Sequence, residues 1–370
     1  MVAIMWAAFE PDLSTKSNEV FSALLSPNSR ILSCMRHLRI HGLHALGLVV
    51  RLRQLLIAIP RDRLLIFQCE GVISAYVFNL LLQRHQKLET LCARCHFPDS
   101  QPSGLGIPLG VASVTCFSTH ISQRASKGDE TSRYCRSLLT KMPKLETLVL
   151  NYGWNRKFAP SAQVGLMFCE GDEDLQLSNL KCLHLNYIDL CRESRTLTRH
   201  ICIFKITELR LTACDGLAPF LDELLHSFSK DGGSLARLSI RIGRGPNQSQ
   251  DVIQATERLL KVCPRLTYLD VGIEHCRLID TACIIANAST LCSLSLQTGS
   301  WSQPGNKLYY PLQAIEEIMI ACVKIERLAL DLPDVSLGSV NALRLLPSRL
   351  GNFDDRGQHL ESFQVSTVSS

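Results

Sequence analysis

A short apolar motif, Leu-x-x-Leu-x-Leu, recurs along the whole chain and constrains its fold more than any other feature. Its clearest copies are Leu145, Leu148 and Leu150; Ile206, Leu209 and Leu211; and Leu266, Leu269 and Val271. Successive side chains of a strand point to opposite faces, so the leucines turn inward and the residues between them face solvent. Taking the middle apolar residue of each copy as a marker gives twelve units, at Leu38, Leu64, Leu91, Val114, Leu148, Leu183, Leu209, Leu238, Leu269, Leu294, Leu328 and Phe363. Their mean spacing is about 29.5 residues, with steps from 23 to 35, so the array is irregular. Units of this length bury on a neighbour the face that one unit alone leaves open.

The segments between the strands carry helical spacing. Gly71 to Gln86 has Val72, Ala75, Tyr76, Asn79, Leu80 and Leu82; Asp251 to Val262 has Val252, Ala255, Leu259 and Leu260; Leu312 to Val323 has Ile315, Ile318, Met319 and Cys322. In LLTKMPKLETLVL (138–150) and LLKVCPRLTYLDV (259–271), Pro143 and Pro264 stop the preceding helix, because proline lacks the amide donor and disfavours helical geometry before it. The predicted class is therefore α/β: a leucine-rich-repeat solenoid, a curved horseshoe with parallel strands on the concave face and helices on the convex face. Eleven inter-strand steps give an inner arc of roughly 53 Å, enough to contact a folded protein. Cys69 and Cys214 occupy the turn position where an Asn or Cys ties down the regular repeat, whereas Gly153, Ile188, Gly243, Glu274 and Pro333 occupy it elsewhere. Residues 1–30 form an N-terminal segment, and 31–370 the repeat domain. Surface loops are expected at 98–110, 151–179 and 299–311.

With 46% hydrophobic and 20% charged residues the chain is too apolar to remain unfolded. Its net charge of +5 is diffuse, without a run of like charges, which points away from nucleic acid and anionic membranes. Sixteen irregularly spaced cysteines, many beside apolar repeat positions, read as free thiols of a reducing compartment. The opening MVAIMWAAFEPDL has no basic segment before its apolar run, so no secretory signal is expected. The apolar stretch from Leu43 to Ile59 is cut by Arg51 and Arg53 and reads as an amphipathic helix, not a membrane span.

Cys92-Ala93-Arg94-Cys95-His96 matches the pattern that attaches a c-type haem. The same residues form a repeat strand in which Leu91 and Ala93 face the core, and no second Cys pair supports a zinc site. The acidic run Glu170, Asp172, Glu173, Asp174 lacks the ligand spacing of a calcium loop. No nucleophile elbow, phosphate-binding loop or dinucleotide fingerprint is present, so we expect no enzyme, no cofactor and no metal.

The outward positions of the strands are more informative. They include Arg94, His184, Asn186, Arg210, Arg237, Arg241, Tyr268 and Asp270. Arginine and tyrosine are enriched among interface hot spots, and arginine pairs well with carboxylates. These eight are the candidate partner-binding residues, for an acidic protein segment. A plain solvated strand face is the other reading of the same composition.

The phrases LLSPNSRILSCMRHLRI (24–40), KMPKLETLVLNY (141–152) and CPRLTYLDV (263–271) resemble the leucine-rich-repeat region of fungal F-box proteins. The resemblance implies that the repeats hold a protein substrate while an N-terminal helical F-box grips the Skp adaptor of a cullin ubiquitin ligase. It also implies a cytoplasmic or nuclear protein. The thirty or so residues before the first repeat lack the Leu-Pro-x-Glu-like opening of an F-box, so that segment is a cap or an F-box remnant and no adaptor-binding residue transfers. Two functions stay open: substrate recognition for a ubiquitin ligase, and a stand-alone scaffold or inhibitor. Both expect a monomer with a protein partner on the concave face.

Overall fold

Parallel strands and helices alternate along the chain, as the apolar spacing predicts. The structure, a computed structural model, describes residues 8–9, 18–26, 29–40, 46–96, 111–121, 129–152, 162–163, 175–191, 194–242, 246–273, 277–297, 308–331 and 362–366. The chain divides into two compact units, Met1–Ile188 with Arg199–Cys202 and Asp189–Thr198 with Ile203–Ser370.

The first unit contains β1 (Ala8–Phe9), α1 (Asn18–Leu25), α2 (Ile31–Cys34), β2 (His37–Ile40), α3 (Leu46–Ala58), β3 (Ile66–Ser74), α4 (Ala75–Arg84), β4 (Thr90–His96), β5 (Cys116–Ile121), α5 (Asp129–Leu139), β6 (Thr147–Tyr152), β7 (Ala162–Gln163) and β8 (Cys182–Asn186). The order β1-β2-β3-β4-β5-β6-β8 is parallel at every pairing. The division falls within β9 (Ile188–Asp189) and α6 (Ser194–His200). The second unit continues with β10 (Glu208–Thr212), α7 (Leu217–Asp231), β11 (Arg237–Arg241), α8 (Pro246–Val262), β12 (Tyr268–Gly272), α9 (Thr281–Ile285), β13 (Ser293–Gln297), α10 (Leu312–Ala321), β14 (Arg327–Asp331) and β15 (Ser362–Ser366). These strands too pair in chain order and in parallel.

Register shows why the motif builds a core. Leu38, Phe67, Leu91, Phe117, Leu148 and Leu183 lie side by side in the first unit, and all are buried. Leu209, Leu238, Leu269, Leu294 and Leu328 form the corresponding buried row in the second. Full burial of each such side chain contributes about 1.5–3 kcal/mol. A backbone pattern repeats with them: one carbonyl before each strand accepts from two consecutive amides leading into the next. Arg36, Leu65, Glu89, Thr115 and Glu146 do so in the first unit, and Thr207, Ala236, Thr267 and Cys292 in the second. This geometry recurs whatever the side chain, so the repeat is a property of the backbone as well as of the leucines.

Two unit markers need correction. Leu64 and Val114 are not middle residues; the register places Phe67 and Phe117 beside Leu91. Leu64 and Val114 take the first apolar slot three residues earlier, where both are buried. An aromatic in the middle slot is masked by the aliphatic residue before it when leucine is used as the template. A strand also precedes the first marker, since Ala8 and Phe9 pair with His37 and Leu38.

The helix expected from Gly71 begins instead at Ala75. Residues 71–73 keep a two-residue alternation of buried and exposed side chains, and the Ser74 hydroxyl accepts from Val77 N to cap the helix. The helix expected from Asp251 begins earlier, at Pro246, the favoured first helical position for a residue without an amide donor. Leu46–Ala58 is helical, as its charge interruption predicts. Arg84 closes that helix by donating to the carbonyls of Leu56, Ile57 and Ile59.

Cys69 and Cys214 tie their turns through thiol contacts to the carbonyls of Gly71 and Thr212, at 3.6 and 3.5 Å. Gly153, Gly243, Glu274 and Pro333, the acidic run Glu170 to Asp174, the loop at 98–110 and residues 299–307 lie outside the described residues.

Candidate partner-binding face

The outward side chains of the second unit fall into three rows across its strands. One contains Glu208, Arg237, Tyr268, Ser293 and Arg327; the next Arg210, Ser239, Asp270, Ser295 and Ala329; the third Thr212, Arg241, Gly272 and Gln297. Parallel in-register pairing puts members of a row at adjacent strand spacing, so long side chains reach across.

Two carboxylates organise the arginines. Glu208 accepts from Arg210 Nε at 2.6 Å and lies 3.1 Å from Arg237 Nε. Asp270 Oδ2 accepts from Ser239 Oγ at 2.8 Å and Arg241 Nε at 3.1 Å, with Arg241 Nη2 also at 3.1 Å. The Arg237 guanidinium stacks 4.8 Å from the centre of the Tyr268 ring, within cation–π range. Gly272 leaves space for the Arg241 stem; a Cβ there would meet Arg241 Cγ at 3.3 Å.

Acids lie beneath and bases above. The side chains of Glu208 and Asp270 are 15% and 4% exposed, against 43%, 43% and 47% for Arg210, Arg237 and Arg241. Each guanidinium has five N–H donors, and the contacts to Glu208 use the Nε edges of Arg210 and Arg237. Three arginines over two carboxylates leave one net positive charge in this cluster, and Arg327 is exposed on β14, two strands beyond β12. The arrangement can offer several N–H donors to carboxylates or carbonyls while holding the guanidinium planes in place.

The eight candidate residues are divided between the two units. Arg210, Arg237, Arg241, Tyr268 and Asp270 come together in the second unit; Arg94, His184 and Asn186 belong to the first. There, β5 and β6 separate Arg94 on β4 from His184 and Asn186 on β8. Asn186 Nδ2 donates to Asn151 Oδ1 on the adjacent strand. Arg94 acts instead near His120, whose imidazole is held near pKa 4 by burial and then by the Arg94 charge. Asp270 takes its outward register, yet it is only 3% exposed and Ser239 only 6%. The two are bonded to each other and the Arg241 guanidinium lies against the carboxylate, which shuts it off from water.

Sequence reasoning passed over three contributors. Glu208 was visible as an outward residue, and its two-residue spacing from Arg210 was the available signal for a pair on one strand face. Ser239 and Gly272 act only through their neighbours on the next strand, a relation requiring register. The haem-like segment contributes Leu91 and Ala93 to the core, with Cys92 half-buried on the other face. Among the described residues, no group of three or more His, Cys, Asp or Glu side chains could hold a metal. No helix among them is long and apolar enough to cross a membrane.

Fold and face together define a class, a repetitive parallel α/β protein of solenoid-like topology with a paired-charge strand face. No family model matches this chain, and no curated protein matches it.

Proposed function

We propose that this chain is a leucine-rich-repeat binding scaffold that captures an acidic segment of a protein partner on the outward strand face of its second unit. The observation that carries this reading is the layering of half-exposed Arg210, Arg237 and Arg241 over the more buried Glu208 and Asp270. Pairing restrains side chains that would otherwise lose rotamer freedom on binding, and such pre-organisation favours affinity. The excess of donors and positive charge selects carboxylates. The recurrent Leu-x-x-Leu-x-Leu register and parallel strands support assignment to the leucine-rich-repeat class.

The test is fluorescence anisotropy with a labelled oligo-glutamate peptide and an oligo-lysine control. Binding of the acidic peptide that weakens with added salt is expected, because exposed charge contacts are screened. Arg210→Gln with Arg237→Gln should reduce that binding by roughly tenfold or more, equivalent to about 1.4 kcal/mol. Equal binding of both peptides, or no response to the double substitution, rejects the assignment.

A narrower reading makes the scaffold the substrate-recognition component of an F-box type cullin ubiquitin ligase. The phrases at 24–40, 141–152 and 263–271 favour it by resemblance. A tagged pulldown of the chain from fungal cytoplasm, probed for Skp adaptor and cullin, tests this link separately. Recovery of both supports it; their absence alongside retained protein partners favours a stand-alone scaffold.

A further inference from the structure

A cleft of about 440 Å³ opens in the second unit at the edge where α7 and α8 end, and no outward strand residue lines it. Its lining includes Phe204, ahead of β10, and Phe228 of α7, with Gly232, Val262, Pro264 and Arg265. Small-molecule sites hold about 300–1,000 Å³ and are mostly apolar with a few placed polar groups. This cleft has that size and that lining.

Local sequence keeps it open. The inward positions on either side of Phe204 are taken by buried Ile203 and Ile206, which leaves the Phe204 ring 47% exposed, whereas Phe228 is buried. The Ser234 hydroxyl donates to the carbonyls of Phe204 and Ile206, at 2.6 and 3.1 Å, and so fixes the segment that carries the exposed ring. A Cβ on Gly232 would meet nothing within 4 Å, so the turn after α7 borders open space.

The charge at the cleft is a single uncommitted guanidinium. Arg258 pairs with Asp222 and Arg277 with Glu257, but Arg265 is exposed and has no carboxylate partner among the described residues. The negative ends of two helix dipoles also lie at this edge. Lys230 and Lys261, in the last turns of α7 and α8, complement them and leave the Arg265 charge for a ligand.

We propose that this cleft binds a small monocarboxylate with an aromatic or branched apolar body. The body lies against Phe204, Phe228 and Val262, and its carboxylate meets the planar fork of Arg265, whose geometry suits two parallel N–H to oxygen bonds. One guanidinium beside two helix C-termini suits one negative charge better than the two of a phosphate monoester. The site is separate from the strand face proposed to capture an acidic segment, so either can fail without the other.

The test is a ligand-observed NMR titration of the full chain with hydrocinnamate and with its neutral amide, hydrocinnamamide. Hydrocinnamate should bind saturably at millimolar concentration or below, and about fivefold more tightly than the amide, as a charge-assisted contact to an exposed arginine allows. Arg265→Gln should remove that preference by weakening hydrocinnamate alone, a result that a purely structural role for Arg265 would not give. Val262→Phe fills the cleft and should weaken both ligands. If circular dichroism shows that variant to be misfolded, Phe204→Ala removes an exposed ring and should give the same loss. Absence of saturable binding, a carboxylate preference that survives Arg265→Gln, or affinities untouched by the folded cleft variant would each overturn the proposal.

Discussion

Arg241 holds a carboxylate that is almost sealed from water: its Nε lies 3.1 Å from Asp270 Oδ2, on the neighbouring strand. Ser239 is the other donor to that oxygen, and Oδ1 has no hydrogen-bond partner. The pair thus connects the face proposed to bind a partner with the stability of the strands presenting it. Charge reversal at Arg241 would set two carboxylates together, so it is a poor test of binding alone. Arg210 and Arg237 share the less buried Glu208 and are better probes.

Arg241→Ala should destabilise the chain by about 1–3 kcal/mol, because removing one partner leaves a buried carboxylate undersatisfied. The exposed arginine head places this below the loss for a fully buried pair. Adding Asp270→Asn should recover part of the stability, since the remaining amide carries no charge. Urea unfolding of both single variants and the double variant measures the coupling. Additive losses would show that the contact contributes little.

His85 offers a different stability prediction. It is fully buried, and neither ring nitrogen has a hydrogen-bond partner. It lies three residues before Leu88, the position held before Leu145, Leu266 and Ile325 by Met142, Cys263 and Cys322, all buried. His85→Met should therefore stabilise the chain by about 1–3 kcal/mol at neutral pH, the usual penalty for an unsatisfied buried polar group.

The pH dependence of the same residue has a defined sign. Burial, reinforced by the Arg84 charge, lowers the His85 pKa from 6.5 to about 4. Between these values the unfolded chain binds more protons than the folded one, so stability falls as pH drops from about 6.5 to about 4. Below about 4 both states are charged and this loss stops growing. The total is on the order of 3 kcal/mol from the 1.36 kcal/mol attached to each pKa unit. His85→Met should flatten this part of the profile in urea titrations at successive pH values. An unchanged slope would locate the acid sensitivity elsewhere.

The residues legible in the sequence are those whose role is local. Leu145, Leu148 and Leu150 announce a strand and its buried face by spacing alone, and Pro264 marks a helix stop. Phe67 was obscured because Leu64 precedes it by the same three-residue interval that defines the motif. The candidate site was legible as a set of outward arginines, but not as pairs. Which carboxylate serves Arg241 depends on Asp270 lying across from Ser239, and that follows from register between segments about thirty residues apart.

Gly216 and Gly232 allow backbone conformation and steric room to be separated. Both have positive φ, +68° and +76°, where an L side chain is disfavoured. A Cβ on Gly216 would stand 2.4 Å from Cys191 N and 2.6 Å from its Cα, whereas one on Gly232 would meet nothing within 4 Å. Cys191 cannot swing aside as a side chain would, because the clash is with backbone whose amide is held by Asp189 Oδ1 at 2.8 Å. Gly232→Ala should therefore lose about 1–3 kcal/mol, the backbone cost alone of φ +76° with ψ 148°, a region essentially confined to glycine. Gly216→Ala carries the left-handed penalty of about 1–2 kcal/mol and must also displace the chain at Leu190 and Cys191, so its total loss should exceed about 3 kcal/mol. Thermal and urea denaturation of the two variants side by side measures the difference. Equal losses would show that the crossing of Gly216 with Cys191 is loose enough to absorb a methyl group.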